Sequence, residues 1–260
     1  MRCHTLEYHD IVAGDDFEAS GFGGAAAASY KLGRGSFTAH LGAIAAAGAR
    51  IARVDDLPAG AAPVLLTFDD GGSGALSAAA PALEPYRWPG HFFVTTGRIG
   101  TPGFLDAAGI RALDAAGHVV GSHSETHPIR FAALTRAAML REWTASRTAL
   151  EAILGRAVTV ASVPGGYFSP AVAETAAEAG IHLLFTSEPV SRVGEITGCR
   201  VFGRYTLRRA STAAAAAALA AGRPAARARQ WVGWNSKKVV KRLGGRAYLA
   251  LRERIFERGA

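Results

Sequence analysis

Two pairs of residues in this 260-residue chain have the types and spacing for chemistry on a bound ion. Asp69 and Asp70 are adjacent at the end of Val64-Leu65-Leu66-Thr67-Phe68, and His123 and His127 lie four apart in Ser122-His123-Ser124-Glu125-Thr126-His127-Pro128. Two like charges closing an apolar strand are costly without a cation, a hydrogen-bond donor or a proton, so the aspartates ask for a metal or for acid/base work. Histidines four apart point the same way if their loop makes a helical turn, a usual spacing for two imidazoles on one metal. Asp70 is then a candidate third ligand. The plain alternatives are a solvated Asp-Asp-Gly-Gly turn and an ordinary polar loop.

The elements that must position these residues follow a repeating pattern of short apolar strand, polar or glycine-rich loop, and Ala-rich helix. Strands are expected at Leu6 to Ile11, Ala49 to Val54, Val64 to Phe68, His91 to Thr96, His118 to Gly121, Val158 to Val163 and His182 to Thr186. Between them, helices are expected over a segment N-capped by Ser36 with Phe37, Leu41 and Ile44 on its apolar side, and over Ser73 to Leu83, Gly109 to Ala116, Thr135 to Leu154 and Pro170 to Ala179. Residues 14 to 35 read as a loop. Such βαβ units imply a parallel sheet, closed as a barrel or open and doubly wound. The polar residues cluster just after strand C-termini, at Asp69-Asp70, Thr95-Thr96, His123 to His127, Pro164 to Tyr167 and Thr186 to Glu188, which favours a barrel-like arrangement with one working face.

Composition is that of a soluble globular protein, 49% hydrophobic and 19% charged, with ample length for a core. No apolar run approaches a membrane span and the first residues hold no apolar signal core, so the expected location is the cytoplasm. Cys3 and Cys199 suggest neither a disulfide framework nor a structural zinc site. The net charge of +8 resides at one end: from Arg200 onward there are 15 Lys and Arg against 2 acidic residues, and before it 14 against 19.

Thr67-Phe68-Asp69-Asp70-Gly71 followed by His123-Ser124-Glu125-Thr126-His127-Pro128 resembles the polysaccharide deacetylases of the chitooligosaccharide deacetylase (NodB-homology, carbohydrate esterase) type. The opening Tyr8-His9-Asp10-Ile11 is similar to the branch that includes poly-N-acetylglucosamine deacetylases. The resemblance covers roughly residues 4 to 207. It implies a deformed (β/α) barrel, a divalent metal, most commonly Zn2+, and hydrolysis of acetyl groups on an acetylated oligo- or polysaccharide. Position by position it makes Asp69 the general base and Asp70, His123 and His127 the metal ligands. It also makes Pro164-Gly165-Gly166-Tyr167 the loop that offers a backbone N–H to the developing oxyanion and contacts substrate.

Three positions depart from the family pattern. Ser162 stands where an arginine usually orients the aspartate base, the fourth motif's aspartate and tryptophan are not visible near Leu184 to Pro189, and the fifth motif's Leu-x-His reads Leu207-Arg208-Arg209. A positioned general acid is worth ~100 to 10,000-fold, so this last loss matters most. His9 is the candidate replacement acid, and Arg200 or Arg204 the candidate replacement arginine. Their plain alternatives are a hydrogen-bonded strand-end histidine and solvated surface charge. Trp88 and Phe104 are candidates to line a sugar cleft, or else core.

The chain therefore reads as a deacetylase-like barrel over residues 1–210 and an Ala-rich, basic amphipathic helical tail over 211–260. Val240, Leu243, Ala247, Leu251 and Ile255 fall at helical spacing among basic residues, after Trp231 and Trp234, a pattern suited to an anionic membrane surface or to packing on the barrel. Nucleic acid ranks low as a partner, because no recognition motif accompanies the charge. The functional expectation is a metal-dependent deacetylase of an exopolysaccharide, chitin-like or lipid-linked saccharide, located in the cytoplasm and possible at the inner face of the membrane. The alternative is a relative that binds carbohydrate but has lost turnover.

Overall fold

The computed structural model describes residues 1–57 and 62–236. Its strands are β1 (His4–Tyr8), β2 (Ile11–Val12), β3 (Leu32–Gly33), β4 (Val64–Phe68), β5 (Gly90–Val94), β6 (Val119–Ser122), β7 (Val160–Ser162), β8 (Leu183–Phe185), β9 (Gly194–Ile196), β10 (Cys199–Phe202) and β11 (Tyr205–Thr206). The helices are α1 (Ala25–Ala28), α2 (Arg34–Ala46), α3 (Ala80–Leu83), α4 (Ala107–Ala115), α5 (Arg136–Leu154), α6 (Pro170–Glu178) and α7 (Ala213–Ala220). Nine strands form one sheet in the order β11-β1-β4-β5-β6-β7-β8-β10-β9, parallel except for β9 against β10; β2 and β3 pair separately.

The sheet curls until its two sides meet. Cys3 donates its backbone N–H to Ser191, Val193 donates to Met1, and Arg2 bridges Arg192 in antiparallel fashion, so the segment leading into β9 closes on the start of β1. The result is a deformed (β/α) barrel. Period-2 alternation explains the two-sided burial of its strands. Along β4, Val64, Leu66 and Phe68 pack outward in the layer that holds Leu41, Ile44 and Leu83. Leu65 points the other way, with Phe93, Val119, Phe185 and Phe202. Glu7 and Thr67 share that inward parity, which brings polar groups inside the barrel.

Helices cover the outer layer. α2 buries Phe37, Leu41 and Ile44 as expected, but begins at Arg34 with Gly33 as its N-cap, leaving Ser36 inside the first turn. Thr135 caps α5 by accepting the Ala138 N–H, and Gly155 ends it in the left-handed conformation at φ 67°. Residues 14 to 35, read as loop, contain α1 and β3. The strand expected over Ala49 to Val54 is reduced to bridge pairs such as Ile51 with Val64, because β5 takes that edge of β4 from Leu66 onward. α7 packs on α2 and β1, with Ala216, Leu219 and Ala220 buried in the outer core layer. Residues 224–236 are also helical. The basic amphipathic pattern from Val240 to Ile255 lies outside the described residues. Among the described residues, no helix is long and apolar enough to cross a membrane.

Candidate metal centre and active site

The parallel register brings the C-terminal ends of β1, β4, β6, β7 and β8 to one mouth. Asp69 and Asp70 follow β4 directly and are both buried. Asp69 is anchored by its N–H on the Tyr8 carbonyl, while the Asp70 carbonyl accepts from Thr95. Asp70 has φ 77°, and Ser124 and His127 in the histidine loop have φ 65° and 58°. Such left-handed conformations cost a non-glycine residue about 1 to 3 kcal/mol each, so surrounding bonds must impose them. Ser122 Oγ accepts the Ser124 N–H, Ser124 Oγ accepts the His127 N–H, and Glu142 from α5 accepts the N–H groups of Glu125 and Thr126. The helical turn expected between the histidines is therefore replaced by an irregular loop pinned at several points.

That loop turns both imidazoles toward Asp70. Asp70 Oδ1 lies 3.6 Å from His123 Nε2 and 3.5 Å from His127 Nε2, and the three ligand atoms fall within 4.8 Å of one another. Asp69 Oδ2 is 4.0 Å from His123 Nε2, beside the cluster.

Arg204 holds Asp69 in place. Its five N–H donors find five acceptors: Nε the Thr186 carbonyl, Nη1 Asp69 Oδ1 (2.7 Å) and Thr67 Oγ1, Nη2 Asp69 Oδ2 (2.7 Å) and Glu7 Oε1 (2.7 Å). Glu7 also accepts from Ser187 Oγ and Thr206 Oγ1. The side chain of Arg204 is 0% exposed, which corrects the expectation of solvated charge for this residue. The structure gives Arg200 no such place; its guanidinium reaches Met1 and the Phe202 ring.

Ser162 fixes a proton. Its hydroxyl donates to Asp69 Oδ1 at 3.1 Å and therefore has no hydrogen left for His123 Nδ1, which is 2.6 Å away. His123 must donate from Nδ1, leaving the Nε2 lone pair aimed at a carboxylate oxygen. Burial pushes the His123 imidazole down to about 3 and also lowers His127, so both rings are neutral. Burial works against ionisation of Asp69, but Arg204 and His123 outweigh it and hold that carboxyl below the ordinary range. Asp70 goes the other way, pushed up to about 6 chiefly by burial, with Asp69 and Asp10 adding to the push against His9.

The other sequence-derived candidates fall as follows. His9, just beyond β1, is near enough for its charge to act on Asp69, Asp70 and His123, and its Nδ1 is buried without a hydrogen-bond partner among the described residues. The hydrogen-bonded strand-end alternative for His9 does not hold at that nitrogen. Pro164–Gly166 form a tight turn in which Gly165 and Gly166 have φ 66° and 67°, and a side chain at Gly165 would strike the Ile129 carbonyl. Tyr167 follows, half-buried, with the Arg130 guanidinium 5.7 Å from its ring centre. Phe104 reaches the site's edge through Phe22, whose ring lies 4.8 Å from that of His127; Trp88 instead stacks on Tyr86 against the outer core. Glu7 and Trp234 were missed. Glu7 had a signal, a carboxylate amid the apolar residues of a buried strand, whereas nothing local places Trp234 against Gly166.

The family profile described as Polysaccharide deacetylase matches residues 57–184, which contain both aspartates, both histidines, Ser162 and the Pro164–Gly166 turn. That segment matches the polysaccharide deacetylase family. The fold agrees with solved structures of IcaB from Ammonifex degensii (TM-score 0.68, 21% identity, covering 84% of this chain and 97% of that one) and of the Streptococcus pyogenes deacetylase PplD in complex with acetate (0.67, 19%, 82% and 95%). It also agrees with a polysaccharide deacetylase from Bacillus cereus (0.70, 19%, 84% and 69%). No curated protein sequence matches the chain. Glu7, His9 and Arg204 lie outside the matched segment.

The matched family implies a divalent cation, and the donors present here fit one. Two neutral imidazole lone pairs face a carboxylate oxygen, and within the barrel Asp69, Asp70 and Glu7 against Arg204 leave two uncompensated formal negative charges. Asp70, His123 and His127 would hold the ion, leaving open positions as hydrolytic zinc sites do.

Two outcomes follow from this charge balance. Because the folded pKa of Asp70 lies above its unfolded value, this group's contribution to metal-free stability falls as pH rises from about 4 to about 6. Asp70→Asn should therefore stabilise the metal-free protein at pH 7 by about 2 to 3 kcal/mol in urea titrations, while abolishing any rise in melting temperature on adding Zn2+. Arg204→Gln strands two buried carboxylates and should cost ~3 to 5 kcal/mol of unfolding free energy at pH 7, read by the same titration.

Proposed function

We propose that this chain is a metal-dependent hydrolase removing acetyl groups from an N-acetylated carbohydrate: an exopolysaccharide, a chitin-like polymer or a lipid-linked saccharide. The observation that carries the reading is the arrangement around Asp70, three lone-pair donors converging beside a second carboxylate that is separately clamped. A divalent cation, Zn2+ in this reading, would supply Lewis acidity toward the acetyl oxygen and lower the pKa of a neighbouring water.

The chain's own residues do the rest. Asp69 accepts the proton of the attacking water. Arg204 makes this carboxylate a weak base but an accurately aimed one, since both its oxygens are held at 2.7 Å. His123 keeps its Nδ1 proton on Ser162 and so cannot rotate away. His9 donates a proton to the leaving nitrogen, taking the role of the histidine absent from Leu207-Arg208-Arg209. The glycine-rich turn before Tyr167 lets backbone approach the acyl group, with Gly165, Gly166 and Tyr167 as substrate contacts. Acetate, with which the Streptococcus pyogenes deacetylase was solved, is the acid this reaction would release.

The absence of a fifth-motif histidine supports a second reading, a carbohydrate-binding relative without turnover. For the C-terminal part, the basic residues from Arg223 onward and the exposed Trp231 and Val232 support docking to an anionic membrane surface, hence a place at the cytoplasmic face.

Acetate release from N-acetylglucosamine oligomers tests the main reading. Activity should disappear with a chelator, return with Zn2+, and fall ~100 to 10,000-fold in Asp69→Asn. Stoichiometric zinc binding with no acetate from several acetylated glycans would instead support the second.

A further inference from the structure

An imidazole that must deliver a proton is usually oriented through its second nitrogen, by a carboxylate or a carbonyl. His9 has no such partner among the described residues, because its buried Nδ1 is unbonded. What touches its ring is Tyr30: the two ring centres are 4.6 Å apart at an interplanar angle of 39°. Tyr30 is itself held. Arg208 Nη2 donates to Tyr30 Oη at 2.7 Å, and the Arg208 guanidinium carbon lies 4.2 Å from the Tyr30 ring centre. Arg208 in turn is fixed by its backbone N–H on Ser211 Oγ, and the next residue, Arg209, bonds the carbonyls of Ser29 and Ala28, adjoining Tyr30.

We propose that Tyr30 is a positioning residue for His9 and that Arg208 braces Tyr30. An aromatic face and a guanidinium thus take over the orienting task that a hydrogen-bonded acid would perform. Packed against the imidazole at that distance, the tyrosine ring limits its rotation and so fixes where its nitrogens face. Arg208, the residue next to the position of the fifth motif's histidine, then has a part in the reaction at one remove. It acts on the acid through one intervening ring. This inference rests on His9 being the proton donor proposed above.

The test uses the zinc-loaded full chain and N-acetylglucosamine oligomers, with kcat and KM measured separately. Tyr30→Leu should lower kcat by about 10- to 100-fold, part of what a general acid supplies, with KM within about twofold. Tyr30→Phe keeps the ring and should stay within about fivefold of the unmodified protein. The double variant His9→Gln/Tyr30→Leu should be no slower than His9→Gln alone, because a residue that acts through His9 has nothing left to act on. Multiplying losses, a change confined to KM, or Tyr30→Leu at the unmodified rate would overturn the inference while leaving His9 as the acid. His9→Gln at the unmodified rate would overturn the assignment of His9, and the inference with it. If Tyr30→Leu fails to fold by circular dichroism, Arg208→Gln is read against His9→Gln in the same cycle, with the same outcomes decisive.

Discussion

The interior of this barrel depends on a single guanidinium. Arg204 links Glu7 on β1, Thr67 and Asp69 on and after β4, and the Thr186 carbonyl after β8, so one group ties together strands that are far apart in the chain. Burying it is tolerable only because every N–H is used; an arginine with one orphaned donor in the same place would be a net cost. The same five bonds that make its burial possible also aim Asp69. Stability and the placement of Asp69 are thus not separable at this position.

The balance of charge is deliberately incomplete. Arg204 compensates one of the three carboxylates around it, and the remaining negative charge sits next to two imidazoles, the proton of His123 being fixed by Ser162. Left without a cation, such an arrangement is unfavourable, and the upward shift of Asp70 to about 6 is its physical expression. The left-handed backbone at Asp70, Ser124 and His127 belongs to the same pattern: conformations unfavourable locally are held by Glu142, Ser122 and Ser124 in the histidine loop, and at Asp70 by the Thr95 N–H on its carbonyl.

The departures from the family pattern also become intelligible in three dimensions. In a closed parallel barrel every strand end opens on the same mouth, so a group lost from one can be supplied from another. Arginine is absent after β7, where Ser162 stands, and Arg204 enters from beyond β10. Histidine is absent at Arg209, and His9 stands beyond β1, the neighbour of β11 in the sheet. Trp234, from the helical residues 224–236, reaches Gly166 in the Pro164–Gly166 turn.

Much of this could be read from the sequence. The apolar run into Asp69-Asp70 and the recurring strand–helix rhythm pointed to a parallel α/β sheet with one working face, because these depend on local periodicity and on residue type at strand ends, while the barrel and the ligand set of Asp70, His123 and His127 were implied by the family resemblance that those motifs carry. Helix α5, with its Thr135 cap and Gly155 terminus, was equally legible. Tertiary structure alone decided the rest. Whether Arg204 is surface charge or the clamp on Asp69 depends on acceptors drawn from Glu7, Thr67, Asp69 and Thr186, none of them near it in sequence. The irregular path between His123 and His127 depends on Glu142, and the apparent strand at Ala49 to Val54 stays a bridge because β5 takes that edge of β4 from Leu66 onward. Local pattern specifies which groups arrive at the mouth of the barrel; only long-range contacts specify which charge each one meets there.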